Sequence, residues 1–184
     1  MPIEATAAIP VPLPAKASVL HIYDPVHLAD AFAIRLPHDA SDDPEVLARF
    51  IMSHQPSWIA RLTAVRDLIV ACFGLKTTRH LAGLAGSGKA ERIGFFCVYR
   101  KDDTEIVVGE DDKHLDFRLS ILRSNVSAAD AGSQLTVTTV VHCHNLLGRA
   151  YIFAIAPFHR MVVKASLRRA AAIGWPRAGG HPYP

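Results

Sequence analysis

From Arg92 onward the hydrophobic pattern of this chain repeats every second residue. Residues 92–100, 104–109, 114–123, 134–145 and 149–155 all read as strands, rich in Val, Ile, Phe and Thr. Strand side chains leave on alternate sides, so each such segment offers one face to a core and one to water. Short polar turns between most of them predict an antiparallel meander. A sheet with a single apolar face needs a cover, and the C-terminal helix is the obvious one.

Upstream, Phe32, Ile34 and Leu36 alternate through residues 30–36, which predicts a strand ended by Pro37. Asp43-Pro44 is a helix start, because Asp can cap free N–H groups and Pro at the first helical position sacrifices nothing. That helix is expected over 44–53. A second, from about Pro56, carries Trp58, Ile59, Leu62, Val65, Ile69, Cys72 and Phe73 at helical spacing and stops at Gly74. Residues 83–89 read as a loop. After the strands, Pro157 is expected to open the last helix, with Phe158, Met161, Val162, Ala165 and Ala172 on one face and Arg160, Lys164 and Arg168 on another.

Strand, two helices, five strands and a long helix is the helix-grip order: an α+β fold whose curved antiparallel sheet wraps around a long C-terminal helix. With 184 residues and 50% hydrophobic content, the chain can build one core without metal or disulfide staples. The domain is expected over 19–173. Pro10, Pro12 and Pro14 stiffen an extended arm over 1–18, and 174–184 read as a flexible tail. Cys72, Cys97 and Cys143 lie far apart in apolar contexts and suit a reducing cytoplasm. A net charge of +3 is too small to imply a nucleic-acid partner. No segment reads as approaching the roughly 20 apolar residues of a membrane span. The expectation is a cytoplasmic protein without a nucleic-acid or membrane partner.

Patterning also sets which side chains share a face. A one-residue slip would turn every apolar side chain of a strand outward, so the parity of pairing is constrained. The consistent arrangement puts Leu115, Phe117, Val141 and Cys143 on one side, and His114, Asp116, His142 and His144 on the other. If Leu146-Leu147 form a tight turn into a last strand, Arg149 and Tyr151 join that polar patch. His-x-Asp and His-x-His on neighbouring strands could present metal ligands, but second-shell partners are not legible, and neither a metal nor a cofactor is expected. A polar end to a small-molecule pocket is the preferred reading, with Arg118 and His159 as further contacts. His159, placed in the first turn of the last helix, would feel its positive dipole end.

Other motifs fail on chemistry. Gly83 to Lys89 imitates a phosphate loop, but Ala90 stands where a hydroxyl should hold magnesium, a helix precedes and a strand follows. Glu110-Asp111-Asp112 lacks EF-hand spacing and reads as a solvated hairpin turn near the rim of the patch. Arg160, Lys164 and Arg168 read as a solvated helix face. No GxSxG elbow is present.

Gly148-Arg149-Ala150-Tyr151, then Pro157-Phe158-His159-Arg160, resemble a bacterial family of uncharacterised small proteins, a domain also fused behind short-chain-dehydrogenase-like NAD-binding domains. Residues 109–118 resemble its stand-alone members, and the resemblance covers about 28–172. It implies a START/polyketide-cyclase-like helix-grip fold with a cavity between sheet and terminal helix. It brings no activity, and these 184 residues have no counterpart of the fused NAD-binding domain. Three functions follow: a domain binding a small, largely apolar molecule; a cyclase- or hydrolase-like enzyme with His142 or His144 as base and Asp116 orienting it; and an accessory protein that pairs with its own copy through the His/Tyr face.

Overall fold

The computed structural model describes residues 7–71, 91–125 and 132–179. In chain order it contains β1 (Ile9–Pro10), a 3-10 turn (Ser18–His21), β2 (Leu28–Leu36), α1 (Pro44–Ser53), α2 (Ser57–Ala71), β3 (Arg92–Ile93), β4 (Phe96–Lys101), β5 (Glu105–Asp111), β6 (Leu115–Asn125), β7 (Ser133–Cys143) and α3 (Leu146–Ile173). The strands form one antiparallel sheet in the order β1-β2-β7-β6-β5-β4-β3. The class is α+β, as the alternation predicts. The expected loop at 83–89, with Cys72 and Gly74, lies outside the described residues.

Asp43 caps α1 as its sequence requires, accepting the Glu45 N–H at 2.7 Å, with Pro44 behind it at the first helical position. On the helix-bearing face, Phe32 and Ile34 of β2, Leu47 and Phe50 of α1, Ile121 of β6 and Leu167 of α3 belong to one buried core. Each such fully buried side chain contributes about 1.5–3 kcal/mol.

Residues 149–155 are not a strand. They lie in the first half of α3, Leu146-Leu147 form its first turn instead of a hairpin, and Pro157 sits inside the helix instead of opening it. The reason lies in the sheet: β7 is flanked by β6 on one side and β2 on the other, so no edge is left for a strand returning from it. Asn145 starts the helix, its side chain accepting the Gly148 N–H at 3.0 Å. Gly148 is needed because a Cβ there would stand 2.2 Å from the His114 carbonyl oxygen. At 28 residues, with a mean hydropathy of 1.2 over its most apolar stretch, α3 also reaches the length and composition of a membrane-crossing helix, contrary to expectation. Here it packs on the sheet through Ile152, Leu167 and Ala170.

Both chain ends are docked where described. Ile9 and Pro10 pair with β2, while Ala17 and Val19 are buried against Val107, Leu122 and Val140 on the sheet face away from the helices. Within the expected flexible tail, Trp175 is 8% exposed and packs on Phe50, and Ala178 donates its N–H to Asp39 O at 2.9 Å.

Candidate functional site

The inner face does not fill completely. Between the β2, β6 and β7 strands, α1, the start of α2 and the first half of α3 lies a cavity of about 430 Å³. Leu115, Phe117 and Leu119 of β6, Val141 of β7 and Ile152 and Ile155 of α3 form much of its wall. Its wall is mainly apolar, as the alternation demands, since the β6 residues that line it are Leu115, Phe117, Leu119 and Ile121.

Polar side chains interrupt that wall at a few places, and one set of them is linked across the sheet. His159 Nε2 lies 3.1 Å from Thr139 Oγ1, and both residues line the cavity. Behind them is Asp30, directly across from Thr139 in the β2–β7 ladder. Its Oδ1 is 3.4 Å from His159 Nε2, yet is buried without a hydrogen bond, and its Oδ2 takes an ion pair from Arg160 Nε at 3.2 Å. The carboxylate therefore faces two cationic or hydrogen-bonding side chains from α3. His159 is fourteen residues into that helix, so the dipole argument for a first-turn imidazole does not apply. Glu110, expected in a solvated turn, is 8% exposed, lines the same cavity and pairs with Arg92 at 3.5 Å. Sequence reasoning missed Asp30, Thr139 and Glu110. Asp30 begins a short apolar strand where nothing marks its partner, and Thr139 looked like an ordinary strand residue.

The other predicted residues divide. Asp116 and His142 are direct partners across β6 and β7, and His144 Nε2 lies 3.1 Å from Asp116 Oδ2. The parity argument placed these three side chains together. They occupy the opposite face of the sheet from the cavity, because Leu115, Phe117, Val141 and Cys143 point the other way. They therefore do not contact the space between sheet and helix. Arg118 is on that outer face too, 8% exposed, its Nη1 2.7 Å from Asp111 Oδ1 and its guanidinium 3.5 Å above the Tyr99 ring. It lies beside Gly109, where a Cβ would meet Phe117 O at 2.2 Å and Arg118 Cδ at 3.0 Å. His114 turns to Asn145, whose Nδ2 donates to its Nδ1 at 2.9 Å. Arg149 is exposed on α3, not on a strand, and lies near His27. Tyr151 moves to the cavity side with α3, against the Leu115–Val141 cluster.

A strap from the N-terminal segment covers the outer patch, which patterning could not reveal. Tyr23 stacks on His142 with ring centroids 5.7 Å apart, and His142 Nδ1 donates to Pro25 O at 2.7 Å. His27 Nδ1 accepts the Cys143 N–H at 3.0 Å. Burial, then the nearby Arg149 and His142, push the His27 pKa below its ordinary value. Burial pushes the Tyr23 phenol up to about 12, with Arg118 opposing the shift. The Tyr99 phenol is raised by burial and by its hydrogen bond to Asp111. Among the described residues no group of three or more His, Cys, Asp or Glu is arranged to hold a metal ion.

Residues 22–166 match the family described as protein of unknown function (DUF2867). The chain belongs to that family. The DUF2867 match runs from the strap into α3, so it contains Tyr23 and His27 on one side of the sheet and Asp30, Thr139 and His159 on the other. No curated protein and no solved structure matches the chain. The DUF2867 description names no activity, so function has to be argued from these two faces.

Proposed function

We propose that this DUF2867 protein binds a small, largely apolar molecule in the cavity between the sheet and α3, in a helix-grip arrangement. The carrying observation is the 430 Å³ cavity with a mainly apolar wall and a polar cluster, His159–Thr139 backed by Asp30. Pockets for small molecules combine these parts: apolar area for affinity and a few polar groups for orientation. An aliphatic or polycyclic body would lie along Leu115, Phe117 and Leu119. A hydroxyl or carbonyl on it would meet Thr139 and His159. The outer His144–Asp116 pair takes no part in this reading.

The test is a thermal-shift and native mass-spectrometry screen against long-chain alcohols, fatty acids and polycyclic alcohols. A ligand selective for the folded state raises stability by about 2.7 kcal/mol at a hundredfold excess over its Kd. Leu119→Trp should fill the cavity and abolish the shift. Thr139→Val, which keeps the shape and deletes the hydroxyl, should weaken hydroxylated ligands about tenfold while sparing plain hydrocarbons. Absence of any stabilising compound, or a shift that survives Leu119→Trp unchanged, would overturn the assignment.

A further inference from the structure

The outward face of α3 changes character along its length. Leu146, Ala150, Phe153, Ala154, Pro157 and Met161 follow one another at helical spacing on the side turned away from the sheet. Phe153 is 86% exposed, Leu146 79% and Met161 44%. The same outward direction then carries Arg168, with Arg149 and Arg160 flanking the apolar half and Arg169 beyond, while Lys164 is half-buried with its ammonium 5.9 Å from the centre of the Phe32 ring. The whole helix of 28 residues contains no Asp or Glu. Arg160 is paired with Asp30, but among the described residues no carboxylate lies within ion-pair distance of Lys164, Arg168 or Arg169.

From this geometry we infer that α3 is a docking surface for an anionic lipid bilayer, on which the protein lies without crossing. An exposed apolar face beside unpaired cations matches what a bilayer surface offers: acyl chains beneath phosphate headgroups. Phe153, Leu146 and Met161 would enter the interface, and the exposed Arg168 and Arg169 would meet the phosphates. Burial of Ile152, Leu167 and Ala170 against the sheet keeps the helix in the domain, so it lies flat. Charge decides against a second copy as the occupant. A second copy's α3 has no carboxylate to set against Arg168 and Arg169, whereas an anionic bilayer offers phosphates. The inference does not depend on the cavity reading, since none of these six apolar residues is among those that line the cavity.

The experiment is co-sedimentation of the full chain with phosphatidylcholine vesicles and with vesicles in which part of that lipid is replaced by anionic phosphatidylglycerol. Binding should favour the anionic vesicles and decline as salt rises. Phe153→Asp, at a side chain that touches almost nothing in the protein, should leave the circular dichroism unchanged and cut binding about tenfold. Arg168→Glu with Arg169→Glu, both exposed, should do likewise through charge alone. Equal binding to both vesicle types, or none to the anionic ones, overturns the inference. So does a dimer in sedimentation velocity that Phe153→Asp disperses without any vesicle binding, which would make a second copy the occupant. Leu119→Trp, which blocks the cavity, should leave vesicle binding intact.

Discussion

His27 shows how much one side chain of the strap decides. Its Nδ1 accepts the backbone N–H of Cys143, a role open only to an imidazole unprotonated at that atom. Consistently, burial and then Arg149 and His142 hold its pKa below the ordinary 6.5. The sign follows from linkage. A base whose folded pKa is depressed takes up its proton in the unfolded chain first, so stability is complete above pH 6.5 and falls as pH drops from there toward the lowered folded value. His27→Asn puts a non-titrating oxygen about where Nδ1 stands. The wild-type urea midpoint should therefore fall faster than the variant's between neutral pH and pH values below 6.5. Parallel curves would remove His27 from the account. At this scale the sequence was partly legible. Asp116, His142 and His144 were placed together because a period of two leaves only two faces to choose from. Which face holds the cavity was missed, since the expectation gave the polar patch to the pocket and the cavity is lined by its apolar neighbours instead. His27 and Tyr23 were not legible, because a strap carries no period and its position depends on residues more than a hundred positions away.

Elements were legible wherever local signals were unopposed. Asp43-Pro44 started α1 and the alternation set β5, β6 and β7, because propensity, pattern and tertiary need agreed. The first half of α3 failed because its local signals pointed elsewhere. Tyr151, Ile152, Phe153 and Ile155 favour a strand, and Pro157 disfavours a helix interior. The occupied edges of β7 overrode both. That leaves a testable cost. Pro157 has no N–H to offer the Phe153 carbonyl one turn before it, and its ring crowds that turn. It is exposed and makes no contact that a smaller residue would lose in the core. Pro157→Ala should therefore raise stability by about 1–3 kcal/mol, read from urea denaturation. A lower midpoint would mean that α3 needs the interruption in order to follow the sheet.

For the molecule as a whole, the question is where the folded unit begins. The family match starts at residue 22, and the proline-rich arm before it reads as dispensable. The packing says otherwise. Val19 has no exposed surface and sits with Ala17 on Val107, Leu122 and Val140, an apolar patch on the face opposite the helices. Just beside it Glu105, 3% exposed, accepts the Ser18 N–H at 3.0 Å and the Ser120 hydroxyl. A sheet with helices on one face has to cover or wet the other, and here the arm covers it. Deleting residues 1–21 would expose that patch and strip Glu105 of its backbone donor. Losing one buried valine and one hydrogen bond to a charged group together costs about 3 kcal/mol or more. The truncated chain should unfold at a clearly lower urea concentration and bind a hydrophobic dye under native conditions. Glu105→Gln in the full chain should give a smaller loss without dye binding, since the arm stays in place. A truncated protein as stable as the full chain would show that the sheet's outer face needs no cover, and that the folded unit begins where the family match does.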